Sequence, residues 1–211
     1  MKFIADFHIH SHYSRATSKK LTPEYLDYFA KIKGIDVIGT GDCTHPGWLQ
    51  ELKEKLEPAD NGLYKLKKEF QLPFTDMQNP QIAARSVYFL PTGEISCIYK
   101  KKERVRKVHN VCVFPDFESV EKYQAKLEKI GNIRSDGRPI LGLDAKILLE
   151  MLLETEQEAF LIPAHIWTPW FSVLGSKSGF DSKFVIFPCI SAPLPLIAFS
   201  NVVFSICICC A

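Results

Sequence analysis

Three of the six histidines, His8, His10 and His12, crowd into the stretch "ADFHIHSHYSRATSKK". The residues leading into them, "KFIADFHIH", alternate apolar and polar side chains and read as a strand. Side chains alternate along a strand, so His8 and His10 point to one side about 6–7 Å apart, close enough to reach one metal ion or two neighbouring ones. His12 lies beyond the end of that strand, where alternation no longer sets its direction, and is expected to be a bystander. His45 follows "IDVIGTGD", His165 follows "FLIPA", and His109 sits at the start or edge of "VHNVCVFP". Asp6, Asp42 and Glu94 bring carboxylates to similar strand ends. A set rich in histidine and carboxylate and poor in cysteine suits catalytic zinc, manganese or iron rather than a closed structural zinc. Each member has a plainer reading. His45 packs beside Trp48 or caps the following helix, and His109 is an ordinary strand residue. Asp42 is better placed, because the glycines of "GTGD" let the backbone carry a short carboxylate into a site. His165 emerges alone from a buried apolar strand. The ordered recurrence of these residues, rather than any one of them, points to a metal site.

The elements that must position them follow from periodicity and punctuation. "LTPEYLDYFAKIKG" reads as a helix with Thr22 as N-cap, Pro23 in the first position, Glu24 at the positive end and Gly34 as terminator. "IDVIGTGD" is a buried strand running into a loop, and "GWLQELKEKLEP" is a helix that stops at Pro58. "RSVYFLPTGEISCIYK" gives one or two strands, and "KVHNVCVFP" another. "FESVEKYQAKLEKIG" is an amphipathic helix closed by Gly131, "LDAKILLEMLLETE" a second helix, and "AFLIPAHIW" a short buried strand. Strands alternating with helices predict an α/β fold with a mainly parallel sheet. In α/β barrels the C-terminal strand ends converge on one face, where chemistry collects.

Composition sets the outer limits. A chain of 211 residues, 46% hydrophobic and 24% charged, fits one domain, or one domain with an appendage. A net charge of +2 gives no strongly basic coat, although "YKKKERVRKVH" either meets phosphate or forms a solvated loop between strands. "MKFIADF" is too short and too quickly charged for a signal peptide. Cys43, Cys97 and Cys112 show no pairing pattern, so a cytoplasmic, reducing location is expected. Residues 184–211 contain no charged side chain and hold the other four cysteines. That apolar run is long enough to span a membrane, but Pro188, Pro193 and Pro195 interrupt it. Either it anchors the chain in a membrane, or it is unrelated to the preceding domain, as a frameshift or misread splice would produce; the second is preferred.

In order, "ADFHIHSHYS", "GTGD", "TGEIS", a downstream histidine and "PAH" resemble the polymerase-and-histidinol-phosphatase (PHP) superfamily. More narrowly, "HIHSHYSRATSKKLTPEYL", "GTGDCTHPGWLQELKEKLEP", "NIRSDGRPILGLD" and "PAHIWTPWFSVLGSKSGFDS" are similar to the endonuclease Q family, over residues 1–182. The resemblance implies an α/β fold of the distorted (β/α)7 barrel type, incomplete here, with up to three divalent metal ions at its C-terminal face. Residues 1–183 would be the metal-dependent nuclease domain and 184–211 an unrelated apolar tail. Zinc is the expected metal, with manganese or magnesium as alternatives.

The same resemblance makes His8 and His10 ligands of the first metal and Glu94 the bridge between two. His109 and His165 become ligands of the second, and Asp42 falls where a third is bound; Glu94 and Asp42 are the candidate catalytic carboxylates. The implied partner is DNA, nicked on the 5′ side of deaminated bases (uracil, hypoxanthine, xanthine) or of abasic sites; no protein partner is deducible. Arg15, Lys19 and Lys20 follow the first motif and either face DNA phosphates or are simply solvated. Trp167 and Trp170 either stack on a displaced base or belong to the core. The family continues with a late Asp-x-His motif and a cysteine zinc region, neither of which is found in the tail, so an impaired, shortened enzyme is expected. A PHP phosphoesterase acting on small phosphate esters, or a catalytically dead fragment tethered to a membrane through 184–211, are the alternatives.

Overall fold

The computed structural model describes residues 2–74, 82 and 84–181; Lys183 and the apolar stretch 184–211 lie outside the described residues. Strand β1 is only Ala5–Asp6, and the histidine segment follows it as extended chain. Helix α1 (Pro23–Lys33) begins with Pro23, carries Glu24 in its first turn and ends at Gly34, as the punctuation predicts. Thr22 takes the N-cap position, but its side chain makes no capping bond. β2 (Val37–Gly39) is wholly buried and pairs in parallel with β1 and with β5 (Tyr88–Leu90).

Helix α2 (Pro46–Lys55) ends before Pro58. Leu56–Pro58 instead form β3, an edge strand antiparallel to β4 (Tyr64–Leu66), where proline's missing N–H is tolerated. The first sheet therefore runs β1-β2-β5-β4-β3. The second runs β8-β6-β7-β9, with β6 Thr92–Lys101, β7 Arg104–Val113, β8 Ile140–Leu141 and β9 Phe160–Pro163.

The expected mainly parallel sheet is corrected. β1–β2, β2–β5 and β6–β8 are parallel, whereas β3–β4, β4–β5, β6–β7 and β7–β9 are antiparallel. Short connections join β3 to β4 and β6 to β7, and a parallel neighbour would need a long crossover there; β4–β5 and β7–β9 pair antiparallel across long connections. The β6–β7 turn is Lys102–Glu103, both at positive φ (49° and 59°), as a two-residue hairpin with the right twist demands. One consequence concerns His109, which sits in the interior of β7 rather than at a strand edge.

Helices α3 (Phe117–Leu127) and α4 (Ala145–Thr155) are capped by Asp116, which accepts from Ser119 N, and Asp144, which accepts from Lys146 N. The chain leaves α3 at Leu127 rather than Gly131, whose N–H closes the turn on the Leu127 carbonyl at 3.0 Å. The core joins Trp48, Leu52, Phe89, Phe114, Tyr123, Leu127, Leu148 and Leu152 between helices and sheets. Cys43, Cys97 and Cys112 are buried and unpaired. Among the described residues, no helix is long and apolar enough to cross a membrane.

Candidate metal centre

Two of the sequence motifs are stitched together by a pair of threonines. The Thr92 N–H donates to Thr40 Oγ1 at 3.0 Å, the Thr40 hydroxyl donates to the Thr92 carbonyl at 3.2 Å, and Gly41 N–H donates to Thr92 Oγ1 at 3.0 Å. "GTGD" and "TGE" are thus held side by side, each with its carboxylate two residues past its threonine. Gly41 (φ 61°) lies so close to the Ile9 carbonyl that a Cβ there would collide with it, so only glycine brings the histidine segment against this turn.

Glu94 is the hub. Its carboxylate is buried, and imidazoles surround it: Oε1 lies 3.1 Å from His8 Nε2, 3.0 Å from His109 Nδ1 and 3.6 Å from His165 Nε2. Oε2 lies 3.5 Å from His10 Nε2. Two groups result, His8–His10–Glu94 and Glu94–His109–His165, in each of which one ligand atom per residue lies within 4.8 Å of the others. Alternation does hold the first pair together, with ring centroids 5.8 Å apart, although the segment is extended chain beyond the strand. Sheet register brings in His109: it pairs with Ser96, two residues along β6 from Glu94, so all three side chains share a face.

The outer nitrogens of two rings are already committed. His10 Nδ1 lies 3.0 Å from Asp42 Oδ1, and His165 Nδ1 lies 2.9 Å from Thr168 Oγ1, whose hydroxyl donates to the Trp170 carbonyl. A neutral imidazole has one N–H. Spent on Asp42 or Thr168, it leaves a lone pair on Nε2: that of His10 faces Glu94 Oε2, an arrangement that is repulsive without a cation between them, and that of His165 lies 3.2 Å from His109 Nδ1. Partners of this kind fix tautomer and ring orientation in metal sites. The donor set therefore fits a divalent metal in both groups, and Ser96 Oγ, buried on the same face without a hydrogen-bond partner, adds an unsatisfied oxygen nearby.

The surroundings also set the charge of these groups. Burial alone would push the Glu94 carboxyl up, but the imidazoles around it, His109 foremost, outweigh burial and hold the group far below the usual carboxylate range. Burial pulls His10 down, yet the hydrogen bond and charge of Asp42, with the charge of Glu94, raise it overall. For His109 burial wins over Glu94 and the ring is held neutral. Backbone strain collects here too: Asp42, His165 and Phe171 adopt positive φ (47°, 29° and 59°) without being glycine. The Phe171 ring lies tilted against the His109 ring, centroids 4.4 Å apart, and its carbonyl accepts the backbone N–H of His109.

No family model matches the chain. It is 30% identical over 165 residues to an uncharacterized protein of Methanocaldococcus jannaschii, covering 78% of this chain but 16% of that protein. In three dimensions it matches the crystal structure of the lesion-specific endonuclease PfuEndoQ from Pyrococcus furiosus, with 32% identity and a TM-score of 0.69. The same values hold for an endonuclease Q complex with a 27-mer duplex carrying an abasic lesion at the active site. The chain is a relative of endonuclease Q. The match covers 89% of this chain and 40% of the endonuclease Q chain.

Within this endonuclease Q-like framework the other expected residues fall into separate places. Asp42 belongs to neither Glu94-centred group. Besides His10, it accepts at Oδ2 from Ser11 N (2.6 Å), Ser11 Oγ (2.8 Å) and Ser14 Oγ (2.8 Å). His12 turns away, its Nδ1 3.3 Å from the Leu21 carbonyl and its Nε2 3.5 Å from Glu51. His45 caps α2, accepting from Trp48 N, so the capping alternative is the right one. Arg15, Lys19 and Lys20 are exposed; Arg15 lies 3.5 Å from Asp136 and Lys20 over the Tyr25 ring. Trp167 and Trp170 are 77% and 52% exposed, which overturns the core alternative for both. Sequence reasoning missed Ser11, Ser14, Thr168 and Arg138, whose guanidinium lies 3.4 Å from Glu94 Oε2. Small hydroxyls carry no spacing signal, and Arg138 sits in a turn-rich connection with nothing to connect it to Glu94 in sequence.

Proposed function

We propose that this chain carries the metal-dependent catalytic centre of a DNA-repair endonuclease that hydrolyses the phosphodiester on the 5′ side of a deaminated base or an abasic site. One observation carries the reading: four imidazoles converge on the buried Glu94, with the outer nitrogens of His10 and His165 committed to Asp42 and Thr168. The likeness to endonuclease Q, including a complex with an abasic duplex, supports DNA as the substrate class. The two sheets are read as part of a distorted (β/α)7 barrel of the PHP type.

His8, His10 and Glu94 would hold one divalent ion, and Glu94, His109 and His165 a second. Zinc suits this nitrogen-rich set, with manganese as the alternative. Bound there, such ions supply a water ionised near neutral pH and positive charge opposite the phosphate oxygens. The chain's own residues do the rest. Asp42 keeps the His10 proton on Nδ1 and so presents Nε2 to the centre, a positioning role that its filled Oδ2 favours over ligation of a third ion. Thr168 does the same for His165. Trp167 and Trp170, exposed beside His165, offer faces on which an extruded base stacks. Arg15, Lys19 and Lys20 border the histidine segment and meet the backbone phosphates.

The test is cleavage of end-labelled duplexes containing one uracil, hypoxanthine or abasic site by the purified 211-residue chain with zinc or manganese. A weak nick 5′ to the lesion, as an impaired, shortened enzyme would give, is expected, and is lost in Glu94→Gln. Hydrolysis of small phosphomonoesters with undamaged and damaged DNA both left intact would overturn the reading in favour of a general phosphoesterase.

A further inference from the structure

Arg138 enters the metal centre from the connection between α3 and β8, and its backbone is fastened on three sides. Gly137 N–H donates to the Tyr13 carbonyl at 3.1 Å, Arg138 N–H donates to Asp136 Oδ1 at 3.1 Å, and Ser96 N–H donates to the Pro139 carbonyl at 3.0 Å. Ser96 is two residues from Glu94 on the same face of β6, so the last bond ties Pro139, the residue after Arg138, to the hub strand. Gly137 packs against the Asp42 carboxylate so closely that any Cβ would press into Oδ2 and into Ser14 Oγ. The same Asp136 also accepts the Arg15 N–H at 3.3 Å and lies 3.5 Å from the Arg15 guanidinium.

This backbone is held far more firmly than the side chain it delivers. The Arg138 guanidinium makes one contact with the hub, a single 3.4 Å approach of Nη1 to Glu94 Oε2, and its side chain stays 35% exposed. An arginine serving as a buried counter-ion would make two short parallel bonds to the carboxylate. With divalent ions at the two histidine groups, a guanidinium on the rim adds positive charge to positive charge. Only an anion bridging them relieves that repulsion.

Resting on the nuclease reading above, we propose that Arg138 binds the scissile phosphate, donating from its fork to non-bridging oxygens, and that Asp136 and Gly137 exist to place it there. A planar five-donor group suits a phosphate's oxygen geometry, and charge developing on those oxygens in the transition state strengthens the contact.

The experiment compares the full chain with Arg138→Ala and Arg138→Lys, using a fluorescent duplex with one abasic site and, separately, p-nitrophenyl phosphate. In metal-free protein, Arg138→Ala lowers the slope of log affinity against log salt by about one, the signature of one lost phosphate contact, and Arg138→Lys restores it. In metal-loaded protein, Arg138→Ala lowers kcat by about 10²–10³-fold, with Arg138→Lys in between because lysine keeps the charge and loses the fork. An unchanged salt slope and rate, with tighter metal binding in Arg138→Ala, overturns the proposal and leaves Arg138 as a partner of Glu94 alone. If the wild type hydrolyses only p-nitrophenyl phosphate, the DNA reading fails; loss of that turnover in Arg138→Ala then upholds the phosphate role, and its retention overturns both.

Discussion

Two buried carboxylates, Asp42 in the turn after β2 and Glu94 near the start of β6, differ in what surrounds them. Asp42 is ringed by donors that need nothing further: a backbone N–H, two serine hydroxyls and the His10 N–H. Glu94 is ringed by imidazole nitrogens, of which Nε2 of His10, its proton held on Nδ1 by Asp42, faces it with a lone pair. Both are buried anions, and burial of an anion is tolerated only with hydrogen bonds or charge around it. The first environment is complete in the folded chain; the second is one that a cation would complete. A buried carboxylate is therefore a poor indicator of a ligand until its partners are known to be donors or acceptors.

The sharpest way to break this contrast is Glu94→Gln, which keeps the shape and removes the shared anion of both groups. Metal content by elemental analysis should fall to background, with affinity lost by more than the ~10–100-fold expected for removing an outer partner. Asp42→Asn should produce that smaller loss, about 10–100-fold in metal affinity, because it disturbs the orientation of His10 without deleting a ligand. Equal losses in the two variants, measured by titration calorimetry, would erase the distinction between them.

His45 shares the Asp42 turn and contributes to neither carboxylate. His45→Ala should cost about 1 kcal/mol in urea unfolding, through the lost cap of α2, with metal affinity unchanged. The smallest effect lies at an ion pair remote from the centre, where Lys55 Nζ is 2.6 Å from Glu24 and 2.8 Å from Glu51, joining α1 to α2. Burial would raise the Glu24 carboxyl, but the Lys55 hydrogen bond outweighs it and lowers the group below its ordinary 4.5. A depressed carboxylate favours the folded state above its unfolded value. Its contribution is therefore complete above about pH 4.5 and is lost as acidification passes the lower folded value. Glu24→Gln should remove about 1 kcal/mol or less of stability at neutral pH, a difference from wild type that disappears in strong acid.

Much of the helix punctuation was legible in the chain. Pro23 and Gly34 bound α1, and the glycines of "GTGD" mark a turn that no bulkier residue could make. The strands misled where hairpins replaced crossovers: "LEP" extended a helical pattern and became an edge strand, and "VRKVHNVCV" placed His109 in a strand interior. Local periodicity carries no information about which strand lies alongside.

From sequence alone, His8, His10, Glu94, His109 and His165 were legible as candidates, because residue type and order along the chain are local properties, although His109 lies inside β7 rather than at a strand end. Only the tertiary structure separated Asp42 from them, since its role depends on Ser11, Ser14 and His10 reaching it at once. Arg138 and Thr168 likewise acquired meaning only when Glu94 and His165 came within hydrogen-bond reach. A residue's capacity for chemistry is written in its side chain, whereas whether its lone pairs are free is decided by neighbours that folding brings from far along the chain.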